Sequence, residues 1–508
     1  MHLEQQQTPQ QRMTTRAKAM TRMAPNVGLG LHAESNTASE CSSISAASGA
    51  ENMESKVTSA MQETMARVRP IPCPNEPNLF QLPVGISPTY RPLPIAVQLT
   101  VWFLSATIAA LTTWRRRLAW LTPIVAIQAG HWKWRKLVQF AVKTALIGVG
   151  SNMVLQDMFL PPSRLSMQSL LQTYFLPSAL SRYEPVMLAN TTGTSDSLGV
   201  HWLQYEQPPK FANAQYAFQA LYVNHGFGAS SLSWLPALPV LVHRTNARTG
   251  LGHDAVGFGF TERPPVKNNS LAAYTSMYSA TIGVTLLQQQ VMAFNASSPV
   301  LLLGHSLGAI ATLRMALQLD ANTSKRIILV APALGISRTG GALSTKPSEQ
   351  QQSLFRVPAA VWQVPAAYAL RRLVGIQNFW RKGLQLVWGD PARLKDSDVL
   401  RFEWPAVLKG WERALLRFSS AQSLASDMSD VDLMQSVLDL PNTTVDVIVG
   451  SKDRIVSPTQ ARKFLEPFPQ VRVVELAGLG HDPFEEDVDT FVQTVEDLLR
   501  KGSSSKNC

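Results

Sequence analysis

The stretch Val300-Leu301-Leu302-Leu303-Gly304-His305-Ser306-Leu307-Gly308 decides how this chain folds. Its apolar residues predict a buried strand, its Gly-x-Ser-x-Gly segment predicts a sharp turn, and the helix-like residues 309–319 follow. Glycines on both sides of a serine let the backbone bend tightly enough to lift the serine side chain clear of the sheet. We therefore predict a strand, a turn and a helix that together present Ser306 as a nucleophile.

A serine hydroxyl is a weak nucleophile at neutral pH, so this chemistry needs a histidine to take its proton and a carboxylate to orient the histidine. Residues 445–449 predict a buried strand, and Asp453 lies on the loop after it. Residues 471–476 predict a second strand, and His481 lies on the loop after that one. We predict that Ser306, Asp453 and His481 form a catalytic triad.

A second glycine-rich segment, His225-Gly226-Phe227-Gly228, follows the strand-like residues 218–223. Glycines here bring backbone amides close to a ligand, and an oxyanion that develops on a substrate carbonyl needs such donors, each worth roughly 3 kcal/mol. We predict that the N–H groups of Phe227 and Leu307 form the oxyanion hole.

The chain carries the motifs HGFG, D-x-x-GFG (residues 254–259), GHSLG, G-x-x-D and GH-x-P in this order. On these motifs residues 198–499 resemble the α/β-hydrolase superfamily of the AB hydrolase-1 type, and they are most similar to its plant and algal membrane-associated members. The resemblance implies an α/β fold with a mostly parallel sheet flanked by helices and a helical cap inserted after the sixth strand. The polar, glycine-rich residues 248–253 predict a short or irregular fourth strand, and His253 and Asp254 are expected to be structural.

The resemblance also implies hydrolysis of an ester, thioester or lipid through an acyl-enzyme, with no metal and no organic cofactor. Two alternatives stay open. One is a ligand-sensing module on the same fold with slow turnover. The other is an acyltransferase, although the H-x-x-x-x-D motif of that branch has Glu486 in place of the aspartate. Enzymes are much commoner than sensors on this fold, which favours the hydrolase.

About a hundred residues separate the strand at 326–330 from the one that begins near 445, far more than a loop requires. This excess predicts the cap, with helices at 361–373 and 399–418 and a flexible hinge or lid loop at 335–352. The cap is rich in tryptophan, and an apolar or amphiphilic substrate is expected if its rings line the entrance. The predicted substrate-binding residues are Trp362, Trp380 and Trp388.

The N-terminal part predicts membrane association. Residues 1–90 are rich in small, polar and proline residues and predict a disordered or targeting arm. Their basic first thirty residues fit either an organellar, for example chloroplast, transit peptide or a plain basic tail. Residues 92–114 contain no charge and are long enough to span a bilayer, with a buried or interfacial helix as the alternative. The stretches 118–132 and 144–156 look too short to span.

Charge points to anionic lipid as the partner. The net charge is +11, and residues 93–196 supply +6 of it with 9 basic and 3 acidic side chains. Three arginines directly follow the apolar segment, so we expect contact with a membrane surface and no nucleic-acid binding. A single span is favoured, which keeps the catalytic domain on the cytoplasmic or stromal side; a second span near 137–156 would place it on the opposite side.

The predicted organisation is therefore an arm at 1–90, a membrane-associated segment at 91–160, a catalytic domain at 190–334 and 441–501, and a cap at 335–440. The three cysteines, at positions 41, 73 and 508, lie outside the hydrolase-like region and are too few for a disulfide framework. A reducing compartment is compatible with this usage.

Overall fold

Eight strands form one sheet with the order β8-β7-β6-β5-β3-β4-β2-β1, in which β2 alone runs antiparallel to its neighbours. The first four strands are β1 (Ser181–Ala189), β2 (Ser195–Glu206), β3 (Phe218–Asn224) and β4 (Ala247–His253). The last four are β5 (Val300–His305), β6 (Lys325–Val330), β7 (Thr443–Gly450) and β8 (Arg472–Leu476). The predicted fold class, a mostly parallel α/β sheet, is confirmed.

This arrangement comes from a computed structural model. It describes residues 72–73, 76–80, 86–113, 134–173, 176–189, 195–207, 215–265, 271–291, 294–295, 297–336, 359–424 and 428–503. Most of the predicted arm, including the targeting or basic-tail segment, lies outside the described residues, as does most of the predicted hinge at 335–352. Within the arm, Pro72–Cys73 and Glu76–Phe80 form a separate antiparallel pair.

The central strands are aliphatic because both faces of the sheet are covered. Along β5, Leu302 contributes to the apolar core on one face, while Leu301 and Leu303 contribute to the core on the other. Helices cover the two faces, and parallel strands buried on both sides read as continuous apolar runs. The catalytic-domain helices are Leu238–Arg244, Ser276–Gln290, Gly308–Gln318, Asp430–Leu438, Pro458–Leu465, Pro483–Glu486 and Val488–Ser503.

Two details of the sheet differ from the sequence-based expectation. Strand β4 is a full seven-residue strand that pairs with both β2 and β3, so the prediction that it is short or irregular is wrong. Its glycines are explained by packing, because a Cβ on Gly250 would overlap the side chain of Val242 on the helix beside it. The sheet also begins at Ser181, before the predicted domain boundary at 190.

The cap follows β6, the sixth strand, as predicted. Its helices are Ala359–Val374, Phe379–Val387, Asp396–Glu403 and Trp411–Leu424, so the stretch 399–418 is divided between two helices. The next helix, Asp430–Leu438, buries Leu433 in the same core as the helix Gly308–Gln318. The cap helix Trp411–Leu424 also contributes to this core, and the predicted end of the cap at residue 440 stays a prediction.

Two apolar helices precede the sheet, Ile95–Thr113 and Trp134–Phe159, and both are long and apolar enough to cross a membrane. Two contacts show that they pack antiparallel. Lys143 donates to the carbonyl of Thr112 (3.2 Å), and Gly148 lies so close to Trp102 that a Cβ on it would overlap the ring. The second helix has 26 residues and includes the stretch 144–156 that appeared too short. Charged residues such as Lys143 interrupt the apolar pattern but not the helix. The stretch 118–132 lies outside the described residues.

The hairpin of these two helices is joined to the cap. Asp157, near the end of the second helix, accepts hydrogen bonds from Tyr368 Oη (2.7 Å) and from the Arg372 guanidinium (3.2 Å). The N–H of Tyr90 donates to the carbonyl of Gly375 (2.9 Å), and the Arg372 guanidinium lies 4.0 Å from the centre of the Tyr90 ring. Both ends of the hairpin therefore contact the helix Ala359–Val374 or the turn that follows it.

Candidate active site

Ser306 lies at the sharp turn between β5 and the helix Gly308–Gln318. Its φ is +51°, a left-handed conformation that a non-glycine residue adopts only when the surrounding structure enforces it. The turn is held because the Ser306 N–H donates to the Val330 carbonyl (2.9 Å) and the Ser306 carbonyl accepts from Ala333 N–H (3.0 Å). Strand, turn and helix therefore have the form predicted for a nucleophile elbow.

The two glycines beside Ser306 are required by close packing. A Cβ on Gly304 would lie 2.8 Å from the Cα of Ala309, and a Cβ on Gly308 would lie 2.5 Å from the carbonyl oxygen of His225. Both distances are shorter than real Cβ contacts. The elbow and the glycine-rich loop after β3 thus approach each other as closely as backbones can.

His481 and Asp453 are hydrogen-bonded at the carboxyl ends of β8 and β7. His481 Nδ1 lies 2.7 Å from Asp453 Oδ2, and the other carboxylate oxygen accepts from the N–H groups of Ile455 (2.8 Å) and Val456 (2.9 Å). Burial lowers the pKa of His481, but the hydrogen bond to Asp453 and the nearby Asp482 carboxylate outweigh burial and hold the pKa above its ordinary value.

Ser306 is at the carboxyl end of β5, on the same edge of the sheet as this pair, and all three side chains are buried. Among the described residues no hydrogen bond joins the Ser306 hydroxyl to the His481 ring. Such contacts are often long before substrate binds and tighten in the reacting complex. The triad assignment stays a prediction, for which the structure supplies the elbow and the histidine–carboxylate pair.

The predicted oxyanion donors, the amides of Phe227 and Leu307, belong to two residues that line one pocket. Within the part of the chain that the structure describes, neither N–H donates to another protein group. The loop is fixed by His225, whose Nε2 accepts from Ala255 N–H (3.0 Å) while Nδ1 lies 2.8 Å from the Gly226 carbonyl. Burial lowers the pKa of His225, which favours the neutral ring that these contacts need.

Three phenylalanines are among the residues that line this pocket. Phe418 of the cap packs edge-to-face on Phe258, with ring centres 4.5 Å apart, and Phe227 contacts both rings. The polar lining residues are Asn224, His225, His253, Ser276 and Ser279.

Trp380 and Trp388, two of the three predicted cap tryptophans, are not among the residues that line this pocket. Trp388 is fully buried in a small core of the cap formed with Leu384 and Phe402, against which Trp380 packs. Packing in this core explains the position of Trp388. A helical pattern of aromatic residues does not reveal whether they face a core or an entrance. The side chain of Trp362 lies outside what the structure describes. The aromatic lining comes instead from Phe258 of the D-x-x-GFG motif and from Phe418, which sequence reasoning did not select.

Asp254 and His253 are buried and structural, as expected. Asp254 accepts from the N–H groups of Ser231 and Phe260 (both 2.7 Å) and from His201 Nδ1 (2.8 Å). Burial alone would raise the pKa of Asp254, but His201 and these donors hold it well below its usual range. Burial lowers the pKa of His253 to about 3, so its ring is a neutral hydrogen-bonding group.

Sequence reasoning gave no role to a second histidine–carboxylate pair beside His481. His305 Nε2 lies 2.9 Å from Asp482 Oδ1, both side chains are buried, and the His305 ring contacts the His481 ring. Burial raises the pKa of Asp482, but His305 and His481 outweigh burial and lower it overall. The two histidines and Asp482 bring possible metal ligands within 4.8 Å of one another. Their mutual contacts and the bond to Asp453 explain this cluster without an ion, and the absence of a metal stays a prediction.

Glu486 also has a clear place. Its carboxylate accepts from the N–H of Gly480, just before His481, and from the N–H groups of Gly389 and Asp390 in the cap. This residue occupies the position at which the acyltransferase branch has aspartate.

Comparisons with known proteins agree with this architecture. The model of a family described as the alpha/beta hydrolase family matches residues 221–494, more than half of the chain. Similar solved structures include a bromoperoxidase from Bacillus anthracis, with 16% identity, TM-score 0.42 and coverage of 63% of this chain and 100% of that chain. An esterase from Exiguobacterium antarcticum has 16% identity, TM-score 0.42 and coverage of 62% and 100%. A putative lipase from Acinetobacter baumannii AYE has 17% identity, TM-score 0.43 and coverage of 64% and 93%. No curated protein matches the chain.

Proposed function

The chain belongs to the alpha/beta hydrolase family and is a hydrolase, and on this premise we propose that it is a serine hydrolase that cleaves an apolar ester, thioester or lipid through an acyl-enzyme on Ser306. Membership at this level confirms the superfamily resemblance; the closer likeness to plant and algal membrane-associated members stays a prediction. Asp453 and His481 complete the proposed triad.

In the proposed reaction, Ser306 Oγ attacks the acyl carbonyl while His481 Nε2 takes the hydroxyl proton. The carbonyl oxygen becomes an oxyanion that the N–H groups of Phe227 and Leu307 stabilise. His481 then gives its proton to the leaving alcohol or thiol as the bond to the acyl carbon breaks. Water repeats the sequence on the acyl-enzyme, releases the carboxylic acid and restores Ser306.

The main support is the hydrogen bond between His481 Nδ1 and Asp453, 2.7 Å long, on the sheet edge that carries Ser306. It orients the ring so that Nε2 is the free nitrogen, which a general base requires. The N–H groups of Phe227 and Leu307, which have no acceptor among the residues that the structure describes, and the left-handed φ of Ser306 support the same roles. A ligand-sensing module with slow turnover can retain the same base, so the hydrolase is favoured over it because enzymes are much commoner on this fold.

The proposal of an apolar substrate draws on Phe227, Phe258 and Phe418, three aromatic residues that line the small pocket shared with Leu307, the second proposed oxyanion donor. Membrane attachment is supported by the two helices at Ile95–Thr113 and Trp134–Phe159. If both cross the bilayer, the arm and the catalytic domain lie on the same side, and the basic residues between the helices lie on the other. We propose anionic lipid as the contact of these residues.

The test is reaction of the full-length chain, purified in detergent micelles, with a fluorophosphonate probe. The full chain is needed because β1 and the hairpin both precede residue 190. We expect mass spectrometry to place the label on Ser306, and turnover of p-nitrophenyl esters to rise with acyl length before it falls. The Ser306→Ala and His481→Ala variants should lose both reactions.

Equal labelling of wild type and Ser306→Ala would contradict the triad. A folded wild type that is labelled but turns over no ester would favour the ligand-sensing module, especially if ligand-dependent partner binding survives Ser306→Ala. The acyltransferase is tested by adding an alcohol acceptor, because competition of the alcohol with water for the acyl-enzyme would support transfer.

A further inference from the structure

The loop that carries His481 is bonded to the cap as well as to the sheet. The His481 N–H donates to the carbonyl of Val387, at the end of the cap helix Phe379–Val387 (2.8 Å). The next cap residues, Trp388–Asp390, run beside residues 478–481. We call residues 387–390 the strap. A Cβ on Gly389 would lie 2.7 Å from the N of Gly480, so only glycine allows this approach.

One carboxylate holds both sides of this contact. Glu486 Oε2 accepts from Gly480 N–H (2.7 Å) and from Gly389 N–H (2.9 Å), and Oε1 accepts from Asp390 N–H (2.7 Å). The Glu486 side chain is buried, and charge-assisted bonds to backbone N–H groups are roughly twice as strong as neutral ones. The strap and the histidine loop thus share one anion.

We propose that Glu486 is a positioning residue that sets the place of His481 by fixing its loop to the cap strap. This inference rests on the proposed serine hydrolase. Glu486 touches no reacting atom; it acts through the Gly480 N–H, one residue before His481. A misplacement of about 1 Å can cost on the order of a hundredfold in rate, so a looser loop lowers kcat while substrate contacts, and with them KM, are retained.

The test compares full-length variants in detergent micelles with a p-nitrophenyl ester. Glu486→Gln replaces an acceptor oxygen by an N–H donor, and Glu486→Asp keeps the charge but is too short to reach both sides. Gly389→Ala disturbs the same contact from the cap. For each we expect kcat to fall by about tenfold or more with KM within about twofold. Amide hydrogen exchange at residues 478–482 and 387–390 should become faster in the two Glu486 variants.

Two controls match these changes. Asp489→Asn removes an exposed acid on the following helix, and Gly383→Ala adds a Cβ in the same cap helix, where nothing lies within 4 Å. Both should retain the wild-type kcat. If the Glu486 variants do not fold, Gly389→Ala decides, because its wild-type kcat would overturn the proposal.

The positioning role would also be overturned if the Glu486 variants had the wild-type kcat and unchanged amide hydrogen exchange. A wild-type kcat in Glu486→Asp alone would overturn it too, because it would show that only the negative charge at this position matters. The failure of the proposed function is separate. It would appear as a wild type without label or turnover, and the exchange comparison would still report whether Glu486 joins the loop to the strap.

Discussion

Asp453→Asn tests the base of the proposed mechanism most directly. One carboxylate oxygen of Asp453 contacts His481 Nδ1, while the other accepts from two backbone N–H groups, that of Ile455 and that of the buried Val456. Asparagine offers one acceptor, the amide oxygen, and one donor, the NH2 group, in place of the two carboxylate oxygens. Which of the two faces His481 depends on the free-energy difference between the two orientations of the amide.

If the amide oxygen faces His481, the NH2 group of residue 453 meets two N–H donors and leaves both without an acceptor, at a cost of about 1–3 kcal/mol for the buried N–H of Val456. If the oxygen faces Ile455 and Val456, both bonds are kept and the NH2 group faces His481 Nδ1. The second orientation is therefore preferred. It makes Nδ1 an acceptor and places the ring proton on Nε2, where the base must be free.

We therefore expect Asp453→Asn to fold normally and to lower kcat about 10⁴-fold, as loss of the correct tautomer does in serine proteases, equivalent to about 5 kcal/mol of transition-state stabilisation. The assay is ester turnover by the full-length chain, with the rate of fluorophosphonate labelling as a second readout. Retention of more than a tenth of the wild-type kcat would refute the assignment. Asp482→Asn is the matched control, since that nearby carboxylate pairs with His305, and we expect its kcat within about tenfold of wild type.

Three further predictions follow from the same contacts. His481 must be neutral to act as a base, and its pKa is raised. The low-pH limb of the plot of kcat/KM against pH should therefore have an apparent pKa above the ordinary histidine value of about 6.5. Asp482→Asn removes one of the charges that raise the pKa of His481 and should move this limb to lower pH. Asp254→Ala should destabilise the fold by about 3–5 kcal/mol, because it leaves the buried His201 ring and two N–H groups without their acceptor; thermal unfolding checks this, and an unchanged midpoint would contradict it. Gly308→Ala should abolish labelling, because its Cβ would press on the His225 carbonyl; a normal labelling rate would show that the elbow can shift.

The parts of the fold that were predictable from sequence are those whose signal is local. The aliphatic run of β5 and the glycines around Ser306 encode a strand and a turn within nine residues. The loops that carry Asp453 and His481 follow similar short runs. The glycines and histidine of β4 do not indicate a regular strand because their partners lie on another strand: Val223 of β3 fills the space above Gly252, and Tyr222 of β3 bonds to His253.

The sequence predicts where the cap is inserted, but not which of its residues face the pocket. The pattern that predicts its helices does not tell whether Trp388 packs inward or lines an entrance, because that depends on which element covers it. The sequence offers the second hairpin helix only as the less favoured alternative, because Lys143 breaks its apolar run; in the structure the long Lys143 side chain reaches the carbonyl of Thr112. The bonds from Glu486 to Gly389 and Asp390 join segments almost a hundred residues apart in sequence, and no local pattern encodes them.

The contacts of the cap bear on how any activity should be measured. On one side Tyr368 and Arg372 bond to Asp157 at the end of the hairpin, and on the other the strap is bonded to the histidine loop through Glu486. The cap is therefore attached to the apolar hairpin and to the loop of His481, the proposed base, at the same time. A fragment that begins after the hairpin retains the second attachment and loses the first. Any difference in kcat between this fragment and the full chain therefore measures how far the position of the cap depends on the hairpin, and Arg372→Ala in the full chain should reproduce part of that difference.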